Sequence, residues 1–222
     1  MKLFYLLLAM AAIAQIQAVQ YQVINNATGT PGGARFQNEI GIPYGQLTLQ
    51  LASEFIWQTF QQGKDDRRNY DQVTMTVDNY TDSAPDFTLF NSILVSSDYI
   101  ANYSGDVRIE VTGILYHETT HVWQWYGNGD TPHGLIEGLA DYIRLKGGWA
   151  PMNWAQRGSG LRWDDGYEIT AYFLEYCNGL KDGFVAELNA FMEYSYRDDF
   201  FVQLLGKSVD DLWNDYKSLY GN

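Results

Sequence analysis

Residues 106–129 read DVRIEVTGILYHETTHVWQWYGNG, and the fold turns on them. His117 and His121 are two of the three histidines in the 222-residue chain, and Glu118 directly follows the first. Ser104 or Asp106 can cap a helix that runs to Gly127 and Gly129, which places both histidines in its second half. A spacing of four sets two imidazoles on one helix face, where both can meet one tetrahedral zinc ion. Glu118 lies about 100° around the helix, where a general base for a zinc-activated water belongs. The competing reading is two helix-face histidines in ordinary hydrogen bonds.

Further along comes DTPHGLIEGLADYIRLKGG, residues 130–148. Thr131 and Pro132 read as a cap and first-turn pair, the helix continues through Lys146, and Gly147 with Gly148 ends it. Glu137 and Asp141 share a face, and two like charges there are unfavourable unless a cation or donors neutralise them. Zinc offers that neutralisation. Glu137 as third ligand leaves a fourth position open, and Asp141 can orient a ligand histidine by accepting its other N–H. Leu135, Ile136, Leu139, Ala140 and Ile143 surround the two carboxylates, which argues against a solvated acidic face. Rival third ligands are Asp141 itself and His133, which reads as a loop residue between Pro132 and Gly134.

Upstream, QYQVIN (20–25) and QVTMTV (72–77) alternate, and SILVSS (92–97) is a short apolar run, so three strands are expected before residue 100. The edge of SILVSS could take an extended peptide. Residues 43–62 carry Leu47, Leu51, Phe55 and Phe60 at near-helical spacing. After Asp106 helical periods dominate, punctuated by glycine, so the class is α+β with strands first. No repeat or long linker divides residues 19–222, which read as one domain. Its N-terminal α+β lobe covers about 19–129 and its helical lobe about 130–222. Phe173, Phe184, Phe191, Trp213 and Tyr220 sit at core-like spacing in the helical part.

Composition narrows the partners. With 14 Lys+Arg against 27 Asp+Glu the formal charge is −13, so nucleic acid and anionic membranes should be repelled. Lys2 followed by LFYLLLAMAAIA is too short to span a bilayer and reads as a secretory signal over residues 1–18, cleaved after Ala18 or alternatively Ala14. The mature chain is thus expected to be extracellular and to have no membrane segment. Asn26, Asn79 and Asn102 each head an Asn-X-Ser/Thr glycosylation pattern. Cys177 is the single cysteine, so no internal disulfide can form, and it reads as a packed apolar group.

The segments SGDVRIEVTGILYHETTHVWQW, GLIEGLADYIRLK, YCNGLKDGFVAELN and LLGKSVDDLWNDYKSLYG resemble the plant basic secretory protein family, from about Tyr21 to Gly221. That family is classed with zinc metallopeptidases and linked to plant defence. The resemblance implies a zincin-like fold with the metal between two helices, His117 and His121 as ligands and Glu118 as base. The chain departs from the family name in being acidic. Gln124 and Gly127 stand where metzincins carry a glycine and a third histidine, and EGLAD looks like the Glu and Asp of gluzincins.

The expected activity is zinc-assisted hydrolysis of peptide substrates, with Glu118 moving the proton from water to the leaving amine. Tyr142, Tyr167 and His133 are candidate donors to the oxyanion, Tyr167 preferred. Two other classes compete: a secreted defence or binding protein that keeps the fold without useful turnover, and a structural zinc site. A structural site is normally closed by four protein ligands and needs no glutamate beside a histidine, so Glu118 favours catalysis.

Overall fold

The computed structural model describes residues 19–80 and 86–221. The signal-peptide reading, with both cleavage points, falls outside them. Four strands, β1 (Gln20–Asn25), β2 (Gln72–Asp78), β3 (Asp86–Leu89) and β4 (Ser92–Ser96), form one sheet in the order β1-β2-β4-β3. β1, β2 and β4 run parallel, and β3 returns antiparallel to β4 with Thr88 opposite Ile93. In β2, Val73, Met75 and Val77 are buried, the alternation a half-covered strand requires.

β3 corrects the sequence reading of SILVSS. β4 lies between β2 and β3, so its edges are paired, and the strand that ends this side of the sheet is β3. Four residues carry too little alternation for periodicity to declare a strand. Short helices α1 (Pro31–Arg35) and α3 (Ser97–Asn102) were also unanticipated; a π-helical turn, Phe36–Ile40, follows the first. Arg35 ties the two together by donating to the carbonyls of Ile100 and Tyr103.

α2 (Ile42–Thr59) packs on β1 and on α4 (Val107–Trp123), the helix that carries HETTH. Asp106 caps α4 by accepting from the N–H groups of Arg108 and Ile109. The helix ends at Trp123, short of the glycines, because Gln124 is extended and Trp123 is locked inside, its indole N–H donating to Ser53 Oγ at 3.0 Å. α4 is buried on almost every side, so its polar residues Glu110, Thr112, Glu118, Thr119 and Thr120 all lie inside the protein. Each such group needs a partner.

α5 (His133–Lys146) packs on α4 and on α6 (Tyr167–Leu180). Two readings of its start are corrected. Pro132 is extended and precedes the helix without a side-chain cap bond, Thr131 Oγ1 has no partner among the described residues, and His133 is the first helical residue rather than part of a loop. Pro132, held at φ −53 and ψ 134, delays the helix by one position.

The chain closes with α7 (Phe184–Phe191), α8 (Asp199–Leu205) and α9 (Val209–Tyr220). Phe173 of α6 is surrounded by Phe201, Trp213 and Tyr216, with ring centroids 5.5–6.1 Å away. Phe184 is buried with them. Phe191 and Tyr220 are not core residues: they finish α7 and α9 and stay 38% and 43% exposed. Among the described residues no helix is long and apolar enough to cross a membrane. Asn26, Asn79 and Asn102 are exposed, and Cys177 is buried.

Candidate metal centre

The packing of α4 on α5 decides what the histidines face. A buried ion pair, Arg144 of α5 with Glu110 of α4 at 3.2 Å, fixes the two helices, and Tyr99 from α3 donates to the same Glu110 oxygen. Two turns further along α4, His117 and His121 point at the acidic face of α5.

His117 Nε2 lies 3.1 Å from His121 Nε2 and 3.2 Å from Glu137 Oε2, and His121 Nε2 lies 3.7 Å from the same oxygen. Among the described residues these three form the group of metal-ligating side chains whose donor atoms all fall within 4.8 Å of one another. The donor set fits zinc: bonds of about 2.0–2.1 Å in a tetrahedron put ligand atoms about 3.3–3.4 Å apart, close to the mean of the three separations. Two imidazoles and a carboxylate are also the ligand types that zinc takes while keeping one position open.

The outer nitrogens are held as well. His117 Nδ1 is 2.7 Å from Asp141 Oδ1, and a carboxylate can only accept, so Nδ1 carries hydrogen and, once the ring gives up its second proton, the Nε2 lone pair is the one that faces the cluster. The Gln124 amide lies 3.1 Å from His121 Nδ1 while Gln124 Oε1 is buried without a partner. Turning that amide end for end would let Oε1 accept from Nδ1–H and leave the His121 Nε2 lone pair inward, at the cost of the 3.4 Å contact of the amide nitrogen with the Ile136 carbonyl.

Glu118 stands apart from the cluster, its Oε1 3.9 Å from His117 Nε2. The Thr88 hydroxyl of β3 lies 2.5 Å from Glu118 Oε2 and 3.1 Å from its carbonyl. Asp86, two residues earlier, is half-buried against the same carboxylate. Burial, with Asp86 adding repulsion and His117 opposing, pushes the Glu118 carboxyl up to about 8 in the metal-free protein. Burial works against charge on His117, yet Asp141 and Glu137 raise its pKa well above the ordinary imidazole value. Burial lowers that of His121. Burial would raise Glu137, but the two histidines beside it outweigh this and hold its carboxyl far below the usual range.

Tyr167 begins α6 and lies over His117, the rings stacked 6.1 Å apart and 11° from parallel. Its φ of 46 is unusual for a tyrosine and follows Gly166 at φ 91, a conformation that needs glycine. The same loop approaches α5 so closely that a Cβ on Gly134 would come 1.8 Å from the Asp164 carbonyl. Of the other donor candidates, Tyr142 is buried and does not line the cleft, while His133 is largely exposed with Nδ1 3.4 Å from Glu137 Oε1.

A cleft of about 530 Å³ opens over the cluster, walled by β3 and its turn on one side and by α5 with Tyr167 on the other. Of the aromatics beside the motif, Trp123 is core, Trp125 is half-buried and Tyr126 lines this cleft. Sequence reasoning missed Asp86, Thr88, Arg68 and Gln124. The first three reach the site through β3 and the α2–β2 loop, which no local pattern connects to HETTH. Gln124 alone was findable, three residues past His121 and directly after the end of the same helix.

Residues 16–216 match the family described as Peptidase of plants and bacteria, and the chain belongs to it. A curated relative, Basic secretory protease of Boswellia serrata, is 41% identical over 63 residues, which is 28% of this chain and 73% of that relative. No solved structure matches the chain. This member is acidic throughout, at −13.

Proposed function

We propose that the protein is a secreted zinc-dependent peptidase with a zincin-like fold, in which His117, His121 and Glu137 hold the ion and Glu118 is the general base. The observation that carries this reading is Glu118 itself. It is buried beside the three donors, faces the cleft and is held from behind by Thr88, an arrangement that a closed structural site does not require.

A zinc ion here supplies Lewis acidity, polarising a carbonyl and acidifying water. Asp141 and Gln124 keep the Nε2 lone pairs of His117 and His121 turned inward. Glu118 Oε1 takes the proton from the attacking water and passes it to the leaving amine nitrogen. Tyr167 donates its hydroxyl hydrogen to the carbonyl oxygen as negative charge develops, a role supported by its ring lying over His117 in the cleft. β3, the edge strand, offers its outer backbone groups to an extended peptide. Secretion rests on the N-terminal leader and on three exposed glycosylation asparagines.

The test is Glu118→Gln, with zinc and peptide-library cleavage measured on the same preparation. The variant should keep its zinc, because no ligand is lost, and cleavage should fall by at least about 10²-fold. Equal cleavage by both proteins would mean a contaminating protease or another base. A zinc-loaded wild type that cleaves nothing would move the reading to a secreted binding protein.

A further inference from the structure

Arg68 is a cation in the cleft wall that the reaction above does not use. It lies in the loop between α2 and β2, and its guanidinium sits against the rings of Tyr70 and Tyr126, 5.0 and 4.7 Å from their centroids. One nitrogen donates to Tyr70 Oη at 2.7 Å and another approaches the carbonyl of His121 at 3.5 Å. None of these partners is a carboxylate. A guanidinium has five N–H donors, so these contacts leave at least three without a partner among the described residues, held in place by two rings and facing the cleft.

A guanidinium without a carboxylate partner in a cleft wall is an available site for an anionic group. Acidic groups outnumber basic ones 27 to 14, and Arg144, which lines a neighbouring pocket, is paired with Glu110. Exposed apolar side chains share the cleft with Arg68: Phe87 and Leu89 on β3 and Phe90 in its turn. Arg68 hydrogen-bonds the carbonyl of His121, so a group bound to it lies within a few residues of peptide from the metal centre.

We propose that Arg68 is a specificity determinant that takes a carboxylate of the substrate, supplied by an acidic side chain or by the free C-terminus of the peptide. Arginine matches a carboxylate with two parallel N–H···O bonds, and the two tyrosine rings and the Tyr70 hydroxyl restrain its fork before the substrate arrives. The negative field of the whole protein disfavours acidic peptides in general, so the cation selects those whose carboxylate falls at one distance from the scissile bond. This rests on the peptidase reading above.

The experiment compares zinc-loaded wild type with Arg68→Gln and Arg68→Glu on a peptide set in which Glu and Gln are exchanged at each position near the scissile bond. A second arm compares the free C-terminal acid with the amide. Wild type should favour Glu over Gln at one position, or the acid over the amide, by about 10-fold in kcat/KM, the scale of one charged hydrogen-bonded contact. Arg68→Gln should bring that ratio near one, and Arg68→Glu should reverse it in favour of Gln or of the amide. Equal cleavage of both members of every pair by wild type, or an unchanged ratio in Arg68→Gln, overturns the proposal. Loss of zinc in Arg68→Gln also overturns it, because the guanidinium would then serve the His121 carbonyl. A zinc-loaded wild type that cleaves no peptide fails the peptidase reading first, and this inference with it.

Discussion

His117 Nδ1 meets Asp141 Oδ1 at 2.7 Å across the contact between α4 and α5, on the side of the imidazole that faces away from the cleft. If zinc sits on Nε2, Asp141 sets the tautomer without touching the ion. Asp141→Asn keeps the shape but can present its amide instead of an acceptor. Zinc affinity, read by chelator competition, should fall by about 10 to 100-fold. Unchanged affinity would remove Asp141 from the orienting role, and total loss would make it a ligand.

His121 and His133 both lie near Glu137, at 3.7 and 3.4 Å. Only His121 has its ring turned into the cluster, while the His133 side chain is 80% exposed. His121→Ala should therefore lose most of its zinc by elemental analysis, and His133→Ala should keep it. The reverse pattern would exchange their roles.

Thr88→Val removes the hydroxyl beside Glu118 Oε2 while preserving the β-branched shape that β3 favours. The expected result is a fall in kcat of about 10-fold, the scale of one hydrogen bond to a charged group. KM and zinc content should hold. A change in KM alone would place Thr88 in substrate binding rather than behind the base.

Metal-free protein should weaken as pH rises from 6.5 to about 8.5. The Glu118 carboxyl is raised from 4.5 to about 8, so the folded state binds that proton more tightly than the unfolded chain. Its contribution is full below pH 4.5 and is lost as pH passes through 8. His117, also raised, has the same sign. The lowered groups, His121 and Glu137, favour folding as pH rises, but only up to the unfolded values of 6.5 and 4.5, below this window. Thermal scans should show Tm falling by roughly 5 °C in wild type and by less in metal-free Glu118→Gln. Equal slopes would mean that Glu118 titrates normally.

What the sequence could disclose depended on distance along the chain. β1, β2 and α2 announce themselves by period, β4 as a short apolar run, and His117, His121, Glu137 and Asp141 by spacings of four on two consecutive helices. β3 is four residues long and takes its identity from pairing with β4. The residues it carries, Asp86 and Thr88, reach Glu118 some thirty positions away, and a tertiary relation of that kind has no local signature. The start of α5 was misplaced for a different reason: Thr131-Pro132 satisfies a capping pattern, but the backbone at Pro132 is extended, so the pattern acts one residue late.

Cys177 is the single thiol and lies fully inside α6's packing, so reductants have no disulfide to cleave and no accessible sulfur to regenerate. Dithiols such as dithiothreitol are ordinarily ambiguous reagents for extracellular proteins, since they both open cross-links and sequester metal. In this molecule the first effect is absent. If activity rests on the proposed zinc, inactivation by a dithiol becomes a direct assay of metal withdrawal, and a monothiol reductant that coordinates metal weakly serves as its built-in control.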